Sequence, residues 1–328
     1  MEYYCNNRNQ FRANELKISI VFATHNGSYT IDRILASYKS LVCPPNFSWE
    51  IIVVDNNSTD NTWEILESFK KELPIKLLKE PKAGKNSALN KALHEPLGDI
   101  IIFTDDDVLP HENWLVVYAK LFEEQPEFDL FGGRIIPYWE AAPPNGLLEA
   151  IPVHVAFALT SESEKTGPIK AGKIYGPNMA VRKKVFTQGL RFNEMIGPSG
   201  KNYIMGSETD FLQRAEQKGH KAYFSLSSTV QHIIRPWQYE KKWLQNRAFK
   251  FGRAIVHDQK RHKNLAEHAL VFGYPRWGLS KLIQLYLQVC LACLRNDSFK
   301  KYQKNWQYNM NKGFLTEYKK MGNALEDE

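Results

Sequence analysis

Residues 99–107, DIIIFTDDD, decide the architecture. Ile100, Ile101, Ile102 and Phe103 run without polar alternation, which is the pattern of a strand buried on both faces of a parallel sheet. Three adjacent carboxylates, Asp105, Asp106 and Asp107, then end it. Such acids repel one another, so they require a solvated turn or a compensating cation. Working outward, two more apolar strands come earlier, KISIVFAT (17–24) and WEIIVVD (49–55), with a short one near 75–78. Between the first two, Ile31, Ile34, Leu35, Tyr38, Leu41 and Val42 recur at helical spacing until Pro44 and Pro45. Asn61 and Glu64 have the spacing of a capping box that opens a second helix. A third helix, NSALNKALHE, follows the basic loop PKAGK. The β-α-β-α-β-α-β order predicts an α/β fold with a doubly wound, mostly parallel sheet flanked by helices. Ligands of such sheets sit beyond the carboxyl ends of the strands, where Thr24, Asp55 and Asp105 all fall.

The region 126–236 is less regular, although GSETDFLQRAEQKG reads as a helix starting near Glu208 and closed by Gly219. From Arg235 onward the chain reads as helical and basic: 18 Lys and Arg face 8 Asp and Glu there, while the first 234 residues hold 25 against 28. That asymmetry predicts an acidic partner surface for the C-terminal part. A hydrophobic share of 43% and a charged share of 24% exclude a largely disordered or collagen-like chain. Cys5, Cys43, Cys290 and Cys293 lack the second pair or the histidine spacing of a zinc site, and are read as plain thiols suited to a reducing cytosol. No secretory signal is read at the N-terminus, and no apolar run reaches the ~18 residues of a membrane span, so a cytoplasmic chain is expected.

The chemistry follows from residue type and place. Hard carboxylate oxygens suit Mg²⁺ or Mn²⁺, ions that also bind substrate phosphates. Along an extended chain Asp105 and Asp107 share a side, so they form the expected metal pair and Asp106 a structural residue. Asp55 is placed to accept hydrogen bonds from a nucleoside, or else to form the turn before Asn56 and Asn57. Lys85, behind a glycine at a helix start, is placed to meet a diphosphate, although KAGKNS is no Walker motif. No G-x-G-x-x-G follows the first strand, which argues against dinucleotide redox chemistry. Glu208 and Asp210 are candidates for a general base, or acids that favour a helix start.

Taken in order, FATHNG, VVDNNSTDNT, GKNSALNKAL, GDIIIFTDDDVLP, GPNMAVRKKVF and GSETDFLQR resemble a family 2 glycosyltransferase of GT-A fold over residues 17–235. The resemblance implies a catalytic domain there, with a nucleotide-binding half (17–107) and an acceptor-binding half (108–235). It is preceded by an N-terminal segment (1–16) and followed by a basic helical region (236–328). It further implies that Thr24, Asn26 and Asp55 contact the nucleotide, with Asp106 lining the same donor site, and that Lys85 lies near uridine or phosphates. Asp105 and Asp107 match the D-x-D pair, with Asp107 the direct metal ligand. GSETDF is similar to the family's G-E-D-x-D box, which puts Glu208 on the base position and Asp210 second, with Ser207 in place of the first acid. His232 resembles a histidine that approaches the metal or diphosphate, though a lone strand histidine equally suits a core. The Q-x-x-R-W motif of processive relatives is missing, so the resemblance implies one sugar added per binding event, with inversion, in polysaccharide or cell-surface glycan synthesis.

The expected partners are a nucleotide-sugar donor (UDP- or dTDP-linked), a glycan or lipid-linked acceptor, and no nucleic acid, for which no motif is present. The apolar run 282–294, flanked by Lys281 and Arg295, is read either as resting on the inner leaflet or as packing on the catalytic domain or a second subunit. The rival activities are nucleotidyl transfer, which would want a Gly-rich, Arg-bearing loop where THNGSYT stands, and a catalytically inactive sugar-binding scaffold.

Overall fold

The computed structural model describes residues 16–199, 203–262 and 269–326. The expected N-terminal segment, apart from Leu16, and Cys5 lie outside the described residues. The strands are β1 (Leu16–Thr24), β2 (Phe47–Asp55), β3 (Ile75–Lys79), β4 (Ile100–Phe103), β5 (Val108–Pro110), β6 (Leu130–Trp139), β7 (Gly167–Ile169), β8 (Met179–Arg182) and β9 (Ala222–Ile234), followed by a hairpin of β10 (Leu270–Val271) and β11 (Tyr274–Pro275). The helices of the first half are α1 (Ile31–Tyr38), α2 (Thr62–Ser68), α3 (Lys85–Ala92) and α4 (Trp114–Glu124). Later come α5 (Leu147–Ala150), α6 (Val153–Phe157), α7 (Lys183–Thr187), α8 (Ser207–Gln217), α9 (Lys241–Arg261), α10 (Arg276–Leu294) and α11 (Ser298–Glu326).

One sheet runs in the order β3-β2-β1-β4-β8-β6-β9-β5, with β7 also paired to β9. β1 to β4 are parallel, and their register sets Thr24 beside Asp55 and Asp55 beside Lys79. β8 runs against both β4 and β6, while β6 and β9 are parallel, so the sheet is mixed and its parallel part is the expected N-terminal one. Alternate residues of β1 feed two cores: Ile18, Ile20 and Phe22 pack with α1 and α4 on one face, and Val21 packs with α3 and α8 on the other. Burial of apolar side chains on both faces explains the unbroken apolar runs that the sequence shows.

Two local expectations change. α1 stops at Tyr38, where 3₁₀-type bonds such as Lys39 N–H to the Ala36 carbonyl close the helix before Leu41 and Val42. No capping box forms at α2. Asn61 makes no side-chain cap, and Asp60 Oδ1 instead accepts from the Thr62 N–H and hydroxyl at 3.1 and 2.5 Å.

The basic C-terminal region is packed onto the sheet domain. Leu244 and Ala248 of α9 and Trp306 of α11 belong to the same core as Ile18 and Ile100. α9 and α11 meet backbone to backbone, since a Cβ on Gly252 would stand 1.9 Å from the Met310 carbonyl oxygen and one on Gly313 2.0 Å from that of Phe249. α10 buries Gly278, Leu285 and Ala292, and leaves Ile283, Tyr286, Leu287, Leu291 and Leu294 exposed. The apolar run seen in the sequence is thus part of a 19-residue helix, long and apolar enough to cross a membrane by length and composition alone, with 17% of that window buried. Cys290 and Cys293 are free thiols.

Candidate active site

A cavity of about 1080 Å³ opens at the carboxyl ends of β1, β2 and β4. Thr24, Lys85, Asp105, Asp106, Asp107, Glu208 and His232 all line it. The three acids diverge. β4 ends at Phe103 and residues 106–107 form a turn, so the alternation that would align Asp105 with Asp107 does not extend that far. Asp105 turns to Lys85, Asp106 accepts from the Thr24 hydroxyl at 2.6 Å, and Asp107 faces His232 (3.2 Å) and Arg235 (3.5 Å).

Lys85 is the hinge of the arrangement. Its ammonium donates to Asp105 and, at 2.6 Å, to Glu208 Oε1, so one cation joins the end of β4 to the first turn of α8. Burial on its own would lower the Lys85 pKa, but the Asp105 and Glu208 carboxylates raise it overall. Burial pulls the Glu208 pKa up, and Lys85 more than reverses that, so Glu208 is held as a carboxylate below its ordinary range. Burial pushes Asp105 up, with Lys85 opposing. Asp106 is pushed up to about 7, by burial first and then by the charge of Asp107. For Asp107 the burial effect is overcome by His232 and Arg235, which lower it.

His232 shows how the site accommodates a cation. Its Nδ1 lies 2.7 Å from the Phe157 carbonyl oxygen, which can only accept, so Nδ1 carries the proton and Nε2 faces Asp107. An imidazole nitrogen beside a carboxylate is a fitting pair of donors for Mn²⁺ or Mg²⁺. Among the described residues no three His, Cys, Asp or Glu side chains gather tightly enough to hold a metal alone, so the remaining ligands would have to be phosphate oxygens or water.

Other expected residues do not line the cavity. Asp55 is buried and its Oδ1 accepts from the Ser58 N–H at 3.1 Å, so it shapes the turn that presents Asn56 and Asn57 to the cavity. Asn26 Oδ1 accepts from the Thr59 N–H at 2.8 Å, tying the loop after β1 to the loop after β2. Asp210 is held between Arg214 (2.8 Å) and Arg261 (2.9 Å), ion pairs that brace α8 against α9.

Several contributors escaped the sequence reading. Asn56 spends its whole amide on the basic loop: Nδ2 donates to the carbonyls of Glu80 (2.8 Å) and Lys82 (2.7 Å), and Oδ1 accepts from Gly84 N–H (2.7 Å). That staple aims Lys85, and Gly84 permits it through a backbone φ of +134°. Asn178, fully buried, joins Trp114 Nε1 and Tyr118 Oη to the carbonyls of Arg134 and Ser228. Arg235 was visible only as a charge. His154, Tyr203, Trp243 and Arg247 complete the cavity from helices and irregular segments, where no periodicity signals them.

With this geometry in place, similarity to known proteins can be compared. The family model described as glycosyl transferase family 2 matches residues 19–190. Glycosyltransferase AglE of Haloferax volcanii is 27% identical over 223 residues, covering 67% of this chain and 68% of that protein. Glucosyl-dolichyl phosphate glucuronosyltransferase of the same organism is 21% identical over 243 residues, covering 71% and 74%. Among solved structures, the mannosyltransferase PcManGT of Pyrobaculum calidifontis, in complex with GDP-Man and Mn²⁺, superimposes with a TM-score of 0.58 at 16% identity, over 96% of this chain and 89% of that one. That likeness confirms the expected fold, a central sheet flanked by helices with a helical C-terminal region.

Proposed function

Because this chain belongs to glycosyl transferase family 2, an enzyme family of sugar transfer, we propose that it moves one sugar, with inversion, from a UDP- or dTDP-linked donor to a hydroxyl of a glycan or lipid-linked acceptor. The single observation that carries the reading is the Lys85 bridge, which brings Asp105 and Glu208 onto one cation at the mouth of the strand ends. In this reading residues 17–107 receive the nucleotide and 108–235 the acceptor. Thr24 and the Asn56–Asn57 turn, which Asp55 and Asn26 shape, would receive the nucleoside. Lys85 would meet the diphosphate. Asp107 and His232, with Asp105 nearby, would hold Mn²⁺ or Mg²⁺. A divalent cation there supplies charge neutralisation for the departing diphosphate. Glu208 accepts the proton of the attacking hydroxyl, and Arg235 adds a fixed positive charge beside Asp107. Asp210 is left out of the chemistry because two arginines already hold it.

The PcManGT complex, with GDP-Man and Mn²⁺, supports a nucleotide-sugar donor and a divalent metal, though not the choice of base, and the dolichyl phosphate named for one relative supports a lipid-linked acceptor. The exposed face of α10, rimmed by Arg276, Lys281, Arg295 and Lys300, would rest on an anionic membrane surface. A thermal-shift and hydrolysis screen of UDP-, dTDP- and GDP-sugars, with and without Mn²⁺, tests the central claim. A metal-dependent rise in Tm with one nucleotide class is expected. No shift with any of them would overturn the donor assignment.

A further inference from the structure

Across the cavity from the strand ends, the wall built by α6 and α9 carries an arginine with no carboxylate partner among the described residues. Arg247 donates from Nε to the Val155 carbonyl oxygen at 3.3 Å, which leaves N–H groups of the terminal nitrogens for other partners. Its guanidinium stands 5.9 Å from the ring centre of Trp243, and Trp243 is stacked on Phe157 at 5.8 Å with the planes 5° apart. The Tyr203 hydroxyl oxygen accepts a further hydrogen bond from it. Among the described residues Arg214, Arg235, Arg253 and Arg261 each have a carboxylate within ion-pair distance, and Arg247 has none.

That pattern is costly unless something answers it. Burial lowers the Arg247 pKa, with Tyr203, Glu208 and Asp105 pulling the other way. A desolvated guanidinium lacking a counter-ion is destabilising, and an oxyanion gripped by two parallel N–H bonds is its best-matched partner. Trp243 flanks the fork, so the ligand it selects is one that offers two oxygens at the spacing of parallel N–H groups, as a carboxylate or a phosphate does.

Building on the sugar-transfer reading, we propose that Arg247, oriented by Trp243 and Tyr203, is an oxyanion subsite for the acceptor, holding a phosphate or carboxylate carried close to the hydroxyl that Glu208 deprotonates. The donor diphosphate has its own cations at the strand ends, Lys85 and Arg235, so the α9 arginine is free for the other substrate. A phosphate of this kind comes from a lipid-phosphate linkage, and a carboxylate from a uronic acid.

The test offers the same acceptor sugar in three forms: a neutral octyl glycoside, an octyl phosphodiester and the corresponding octyl uronide, each with the donor found in the nucleotide-sugar screen. Wild type should favour an anionic form by at least ~10-fold in kcat/KM for the acceptor. Preference for the phosphodiester identifies a lipid-phosphate source, and preference for the uronide a glycan carboxylate. Arg247→Gln should erase the preference while keeping the donor-induced rise in Tm, and Arg247→Lys, with charge but no fork, should restore part of it. Equal use of the neutral form by wild type would overturn the proposal. So would an Arg247→Gln protein that discriminates as before, or one in which the donor KM rises instead of the acceptor KM. A binding arm runs independently of turnover: methyl phosphate and acetate should raise the Tm of wild type more than that of Arg247→Gln. Equal shifts would sink the subsite even if no donor is turned over. Absence of any donor response in wild type would instead count against the sugar-transfer reading itself.

Discussion

The two walls of the cavity are held by different physics. The strand-end wall is set by register: nine Cα pairs lock β1 to β2, and Thr24 must lie beside Asp55 once Ile18 pairs with Trp49. The facing wall is an assembly of α6, α8, α9 and the segment around Gly176, held by side-chain bonds and close backbone contacts. The polar groups at the first wall sit on turns and a helix start that leave strand ends fixed by that register. Groups on the second depend on whether separate helices dock correctly. Glu208 belongs to both, since α8 carries it and Lys85 ties it to the strand ends.

The largest expected effect breaks that tie chemically. Glu208→Gln preserves shape and can still accept a bond from Lys85, but it cannot take a proton. Transfer should fall by ~10²–10⁴-fold in kcat, while the donor-induced rise in Tm persists. Transfer at the wild-type rate would move the base elsewhere in the cavity.

Next comes the shared foundation. Asn178→Ala removes five side-chain hydrogen bonds beneath both walls and leaves the Trp114 donor buried without a partner, while the Tyr118 hydroxyl keeps only the backbone carbonyl of residue 178 at 3.2 Å. A loss of about 2–4 kcal/mol in stability is expected from urea unfolding. A loss below about 0.5 kcal/mol would show that the two walls do not depend on this residue.

Gly252→Ala separates the walls instead. The added methyl meets the Met310 carbonyl, forcing α9 and α11 apart, and should cost about 1–3 kcal/mol. The melting transition should drop, and acceptor KM should rise more than donor KM because Arg247 rides on α9. If both constants change equally, the helical wall is not an independent unit.

This difference also explains what could be read from the sequence. Ile100 to Phe103 and the two earlier apolar runs announced the parallel strands, and the acids fell at a strand end as expected. The side-chain directions of Asp105 and Asp107 were misread because alternation stops at Phe103, where the chain turns. Asn56 and Asn178 were missed because an amide reveals its use only when its partners, such as the Lys82 and Ser228 carbonyls, are in place. Arg247 was invisible for a similar reason: in a basic helix, nothing local marks which side chains face the cavity. The apolar run at 282–294 was legible as a helix but not as a face, since its packing on α11 decides which residues remain outside.

That outer face gives the smallest effect and sharpens the contrast between a wall built for a substrate and a surface built for a plane. Lys281 is exposed at the edge of the Ile283, Tyr286 and Leu287 patch. If the patch rests on anionic lipid, Lys281→Gln should weaken flotation with phosphatidylserine vesicles by ~1 kcal/mol, about fivefold in the partition constant. The same change should leave binding to neutral vesicles as it was, because apolar contact carries no charge dependence. Flotation that is insensitive to Lys281 and to added salt would point to a protein cover for α10. Sedimentation velocity would then show a dimer whose dissociation follows Leu287→Glu, a substitution that opposes either use of the face but leaves the buried Leu285 contact intact.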